Sequence, residues 1–432
     1  MAEIIPLRGW RYNQELSNSI QDLTSPLFDV VSLKQREALY QNSYNSIHLS
    51  VPQGTFPAKE AAQLLQTWKT EGILKQDYLP GIYVYYQYFR LPGSEQEHCR
   101  KGFMCQIKAY DWDEQVLLRH ENTIPASVND RIDLLTETQL QVSPTHGLYT
   151  DPDFLLEKYM DESIQAPLHE SEDYQGVRDV VAVIQDAAAV REFIRVLKDK
   201  QVLLADGHHR YESSLQYRKA SRAANPDHTG TESYNYHFIY LTNTEGCDLR
   251  ILPTHRLFRH LPLSSEEFLS KIAAYFTIIP LADPFDLNEI IIGKKWAFGL
   301  YLRGKPYKIR LKTEVHADIS WPLPAVVKEL DLTVLHYFVL EKILGISQEA
   351  QRTSTEIQYI RNFAECLSRV DHEEAEVAFI TNGVTIEQVK TVCYSGALMP
   401  QKSTFFYPKV ISGFVFSSIK QNEFYLEVSP CL

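Results

Sequence analysis

Val202-Leu203-Leu204-Ala205-Asp206-Gly207-His208-His209-Arg210-Tyr211-Glu212 is the stretch from which the rest of the chain is read. Four apolar residues suit a short buried strand, Asp206-Gly207 is turn chemistry, and His208 to Ala223 has the composition of a helix. Strand, tight turn and helix together aim backbone N–H groups at an anion, because the first turn of a helix leaves those groups without partners. Gly207 permits backbone angles that a Cβ resists. Arg210 can fork onto a phosphate or carboxylate, and His208 and His209 can add imidazole hydrogen bonds. Asp206 then stands beside the anion, where it can orient a nucleophile or a metal ion. The purely structural alternative is a capping Asp206, packed histidines and Arg210 paired with Glu212 or a neighbour.

Outward from this motif, strand-like and helix-like segments alternate. Val180–Ile184 and Ala187–Lys198 precede it as strand and helix, and Tyr236–Thr242 and Leu249–Leu257 follow as strands. Further upstream, Pro57 opens a helix through Trp68. Ile82–Arg90 and Gly102–Ala109 form an antiparallel hairpin broken at Pro92-Gly93, and Gln115–Arg119 is a short strand. Asp331–Leu344 is a helix stopped by Gly345. Glu376–Thr381 is a strand, and Thr385 with Gln388 is a capping box. Met399–Lys409 is a loop before a strand over Val410–Phe416. The expected fold is mixed α/β (α+β) with a mixed sheet. A division near residue 260 gives a motif-bearing region, 1–260, and a C-terminal α/β region, 261–432, that contributes the Met399–Thr404 loop.

The chain has 432 residues and a net charge of −12, from 43 Lys+Arg against 55 Asp+Glu. An acidic chain of this kind repels phosphate backbones, so no nucleic-acid partner is expected. Six cysteines show no C-x-x-C spacing, which implies neither a zinc ribbon nor a disulfide framework. No signal-peptide pattern begins the sequence, and no apolar run approaches the ~18 residues of a membrane span. A cytoplasmic protein without a membrane partner is expected.

Three other clusters could bear on chemistry. In Arg119-His120-Glu121-Asn122-Thr123, Glu121 sits past a strand end as a general-base candidate, with His120 and the later Arg131 as phosphate partners. Leu252-Pro253-Thr254-His255-Arg256 gathers a hydroxyl, an imidazole and a guanidinium. Met399-Pro400-Gln401-Lys402-Ser403-Thr404 ends like a phosphate loop, but the G-x-x-x-x-G-K spacing is absent. Lys402 remains a point charge for an anion. No G-x-S-x-G, H-E-x-x-H or G-x-G-x-x-G occurs, so serine-hydrolase, zinc-peptidase and Rossmann readings fall away.

Taken in order, these boxes resemble the bacterial and archaeal domain-of-unknown-function family ten-fifteen, essentially from end to end. The resemblance rests on Ser25 to Ser32, Arg119-His120-Glu121, Ala205 to Tyr211, Leu252 to Arg256, Val334 to Ile346 and Met399 to Lys409. Leu27-Phe28 stands where that family more often reads Pro-Tyr. The Asp206–Arg210 turn is also similar to the phosphate-binding turn of the ParB/sulfiredoxin superfamily, which includes free-serine kinases. That likeness implies a ParB/sulfiredoxin-like core. Sulfiredoxin's catalytic Cys is replaced here by His208, and no basic helix-turn-helix offers a ParB-like DNA contact.

The expected function is therefore a nucleotide- or phosphate-binding enzyme that transfers or hydrolyses a phosphoryl group, kinase-like, acting on a small molecule. Asp206, Glu121 and His209 are the catalytic candidates. Gly207, His208, Arg210, His120, Arg131, His255, Arg256, Lys402, Ser403 and Thr404 are the phosphate-binding ones, with Mg²⁺ accompanying the nucleotide. No protein-held metal is expected. The alternatives are a non-catalytic nucleotide-sensing regulator and a metal-dependent hydrolase. Glu121, Arg210, His255 and Lys402 are expected to line one cleft.

Overall fold

The structure, a computed structural model, describes residues 1–173 and 175–424. The chain forms two compact units: Met1–Arg119, Thr123–Leu249 and Pro408 onward make the first, and His120–Asn122 with Arg250–Tyr407 the second. The division expected near 260 thus falls at 249/250. Its cause is strand pairing, because His255–Phe258 is bonded to Ile357–Ile360 and Val377–Ile380 in the second unit's sheet.

The first unit is built on a nine-stranded mixed sheet. Its centre is the expected hairpin, Ile82–Arg90 against Glu97–Lys108, with Tyr83 opposite Met104 and Tyr88 opposite Cys99. Successive residues of a strand point to opposite faces, and Ile82–Arg90 is apolar on both. Ile82, Val84 and Tyr86 join a core with Phe103, Phe193, Leu204 and Tyr211. Tyr83 and Tyr85 join a second core with Trp68, Tyr240 and Phe414. Helix Ala187–Lys198 forms as expected, its N-terminus capped by the Asp186 carboxylate accepting from Ala189 N at 2.8 Å. The motif strand Val202–Asp206 runs parallel to Leu117–Leu118 and antiparallel to Thr145–Tyr149. The mixed α/β architecture read from the sequence is the one observed.

Three local expectations are corrected. Gln115–Arg119 supplies only Leu117–Leu118 as strand, and Gln115 turns into the left-handed region at φ 53°. Leu249–Leu257 is two strands, Arg250–Ile251 and His255–Phe258, parted at Pro253, which has no N–H for a ladder. Val410–Phe416 is buried but is not a strand. It makes isolated bridges, Ser25 with Ser412 and Trp10 with Phe416, and bends at Gly413, φ +115°. The strand forms one step later, at Ser417–Ser418.

The second unit holds a six-stranded, wholly antiparallel sheet around Phe268, Phe298, Phe338 and Phe379. Thr385 and Gln388 form the expected capping box of helix Ile386–Tyr394. The expected Asp331–Leu344 helix is α-helical over Asp331–Val334 and widens to a π-helix over Leu335–Ile343, with Gly345 at φ 74° beyond it. Among the described residues, no helix is long and apolar enough to cross a membrane.

Candidate functional site

In the first unit, the motif strand ends at Asp206 and the 17-residue helix His208–Ala224 begins two residues later. Gly207 between them has φ 91° and ψ 28°. A Cβ there would stand 2.7 Å from Thr145 Cγ2 and 2.9 Å from Arg210 Nη2, so only glycine makes this turn without displacing its neighbours. As the N-cap, Gly207 gives the first-turn N–H groups no side-chain acceptor. The helix dipole at that end favours negative charge.

One carboxylate there serves two cations. Asp206 Oδ2 accepts from Arg210 Nη2 at 3.0 Å, and Asp206 Oδ1 from the Lys409 ammonium. The three side chains keep 16%, 9% and 16% of their surface for Asp206, Arg210 and Lys409, so the cluster is largely desolvated with an open edge. Burial favours the neutral acid at Asp206, but Lys409 and Arg210 outweigh it and hold the carboxyl well below the usual carboxylate range. Arg210 also donates to Ser143 Oγ at 3.0 Å and Pro144 O at 2.5 Å, which fixes the guanidinium plane. As the structural alternative allows, Arg210 pairs with a neighbour, Asp206, and not with Glu212. Glu212 instead accepts from Trp112 Nε1 at 2.8 Å.

Opposite Asp206 in the sheet register lies His146. Burial, and then Arg100 close by, push its imidazole well below its ordinary value, so it is neutral. Its Nε2 meets Thr242 Oγ1 at 2.8 Å. On the same unit, Arg100 bonds Gln87 Oε1, and Gln87 Nε2 donates to Asp179 Oδ1 at 2.9 Å. Tyr85 OH donates to that same oxygen at 2.6 Å. Asp179 is fully buried, its Oδ2 has no partner among the described residues, and burial pushes its carboxyl up to about 8. Sequence reading missed His146, Arg100 and Asp179, and gave Lys409 no role. None of them neighbours the motif in sequence; only strand register and the Pro408–Phe416 segment bring them near.

Of the remaining first-unit candidates, Arg131 lines one cavity together with Arg210. His209 Nε2 accepts the Ile124 N–H at 2.9 Å, which holds a loop rather than presenting a free base. His208 is 5% exposed at the helix start. Arg131 donates to Ser50 O at 2.6 Å, pairs with Asp130 and lies 4.4 Å over the Phe28 ring. Of the four residues expected in one cleft, Arg210 belongs to the first unit and Glu121, His255 and Lys402 to the second.

In the second unit, the expected phosphate ligands are mostly engaged with the protein itself. Arg256 is fully buried and donates to the carbonyls of Thr254, Gln401 and Lys402, the last two at 3.2 Å. His255 Nδ1 accepts the Thr381 N–H at 3.2 Å; burial and then Arg256 lower it to about 4. His120 Nε2 meets Thr404 Oγ1 at 2.7 Å, and Ser403 Oγ donates to Pro400 O at 2.6 Å. Glu121 Oε1 accepts from Gln401 Nε2 at 3.0 Å. These bonds shape the Met399–Thr404 loop. The Lys402 ammonium makes no hydrogen bond or ion pair among the described residues. Nor, among them, do three or more His, Cys, Asp or Glu gather as a metal site.

No curated protein matches the sequence. Among solved structures, a free serine kinase in complex with AMP is 12% identical with a TM-score of 0.38, over 72% of this chain and 90% of that one. A conserved hypothetical protein from Pyrococcus furiosus is 13% identical, TM-score 0.36, over 72% and 94%. SbnI from Staphylococcus aureus, with a C-terminal truncation, is 10% identical, TM-score 0.36, over 73% and 87%. The profile of the family described as protein of unknown function (DUF1015) matches residues 4–333, and the chain belongs to that family.

Proposed function

We propose that the first unit binds the phosphates of a nucleotide at the Asp206–Arg210 turn and transfers a phosphoryl group to a small hydroxylated metabolite. The observation that carries this reading is the Asp206 carboxylate shared by Lys409 and Arg210 at a glycine-capped helix N-terminus. Its two cations and partly open edge suit an anion, and phosphoryl transfer asks chiefly for positioning and charge neutralisation.

Held ionised by two cations, Asp206 is a weak base. An arriving phosphate competes for Lys409. As that ammonium turns to the phosphate, the carboxylate loses one of its cations and gains basicity. The acceptor's hydroxyl oxygen then attacks the terminal phosphorus, its proton passing to Asp206. The new P–O bond forms as the bridging P–O bond breaks, and the nucleotide leaves with that electron pair. Mg²⁺ belongs to this reading as an ion carried by the phosphates, since both Asp206 oxygens already meet cations.

Phosphorus NMR of ATP with the protein, Mg²⁺ and a pool of small hydroxylated metabolites tests it. A phosphomonoester signal is expected to grow while the terminal phosphate of ATP declines. In folded Asp206→Asn the growth falls by about 10²-fold or more, the range of a lost general base. Nucleotide binding without any such conversion in the wild type would leave the sensing regulator as the reading.

A further inference from the structure

The second unit contains a cavity of about 450 Å³ that the phosphoryl chemistry above does not use. Its inner end is buried and cross-braced. His336, 2% exposed, lies in the first turn of the π-helix, whose wide turn shows in Leu344 N bonding Val339 O five residues back at 2.9 Å. Such turns are rare and frequent at functional sites. His336 Nδ1 meets Gln351 Oε1 at 3.0 Å, and its Nε2 accepts from Arg256 Nε at 3.3 Å. Gln351 Nε2 returns to the carbonyls of His336 and Ile346 at 3.2 and 2.8 Å. Arg256 in turn holds the Gln401 carbonyl, and Gln401 also lines the cavity. The cavity is therefore formed before any ligand arrives, as small-molecule sites usually are.

Its lining has a chemical bias. Among the described residues no carboxylate lines it, although the chain carries a net charge of −12. Among the described residues its one formal charge is Arg352. The side chains of Arg352, Asn122 and Gln348 make no hydrogen bond or ion pair among the described residues. Trp321 to Pro324 supply an apolar side. Trp321 is fixed by its indole N–H donating to Glu341 Oε2 at 2.9 Å and by an edge contact with Tyr337 at 5.3 Å. One guanidinium, free amides and a ring-and-proline wall match a ligand with one anionic group on a flat apolar body.

We propose that this cavity binds a small organic anion, a carboxylate or phosphate on a flat ring, with Arg352 taking the anionic group and the Trp321–Pro324 wall the ring. Saturation-transfer NMR on the full chain tests this with benzoate, phenyl phosphate, neutral benzamide and ring-free methyl phosphate. Benzoate or phenyl phosphate is expected to bind, and the tighter of the two identifies the anionic group. Benzamide and methyl phosphate bind at least about tenfold more weakly. Arg352→Gln weakens the preferred probe by about 10- to 100-fold, the loss of one charge-assisted hydrogen bond. Ala397→Trp, which fills the cavity, abolishes its signal, and Lys409→Met leaves it unchanged. No binding of either ring anion, benzamide binding as well as the anions, or binding unmoved by both cavity variants would overturn the proposal. Loss in Lys409→Met with retention in Arg352→Gln would also overturn it, placing the anion at the Asp206–Arg210 turn.

Discussion

Asp206→Ala is expected to lower stability by about 3 kcal/mol at neutral pH, read by urea unfolding. Removing one partner of a buried ion pair costs about 3–5 kcal/mol because the other charge stays buried and unpaired. Here two cations, Lys409 and Arg210, lose their shared carboxylate. The lower end of that range applies because 16% of the Asp206 side chain remains exposed. Arg210 also keeps its bonds to Ser143 and Pro144. Pyrophosphate should recover part of the loss, since its charge can stand in for the carboxylate. The pH dependence is fixed in sign. The folded carboxyl lies below its unfolded value of about 3.9, so its contribution is in full force above that value and disappears as acid protonates it. Wild type and Asp206→Ala should therefore converge only in strong acid. A difference within about 0.5 kcal/mol at pH 7, the range of ordinary surface substitutions, would contradict the ion cluster.

Asp179→Asn is expected to act in the opposite direction. Burial keeps the Asp179 proton on the folded protein up to about pH 8, whereas the unfolded chain releases it near 3.9. Between those values the folded state binds more protons, so stability falls as pH rises. Asparagine has no such proton, and its carbonyl still accepts from Tyr85 and Gln87. At about 1.36 kcal/mol per pKa unit, the variant should gain on the order of 3–5 kcal/mol over the wild type by pH 8 and almost nothing at pH 4. Urea unfolding at several pH values reads this directly. A difference that does not change with pH would show that Asp179 ionises normally in the folded protein.

What could be read from the sequence was what is local. The alternation within Ile82–Arg90 divides its residues between two cores as a strand's period of two requires. Asp206-Gly207 marks its turn because a positive φ needs glycine there. The partners of Asp206 were not local: Lys409 lies 203 residues away, and His146 reaches it only through strand register. Glu97-His98-Cys99-Arg100-Lys101 has the composition of a solvated strand end, yet Arg100, opposite Gln87 in the hairpin, is 2% exposed. The hydroxyl and guanidinium groups of the Leu252 and Met399 boxes suggested ligand contacts. The structure shows Arg256, Ser403 and Thr404 bonding loop carbonyls and His120, the same donors spent on shape.

The most direct test of the phosphate site is thermal unfolding of the wild type and Lys409→Met with ATP, ADP and pyrophosphate, each with and without Mg²⁺. Methionine keeps the length of the lysine stem while removing its charge. At 100 times its dissociation constant a bound ligand adds about 2.7 kcal/mol to the folded state. The expected result is a shift with at least one phosphate ligand in the wild type, and none in a folded Lys409→Met. No shift with any of the three, or an equal shift in both proteins, would contradict the account.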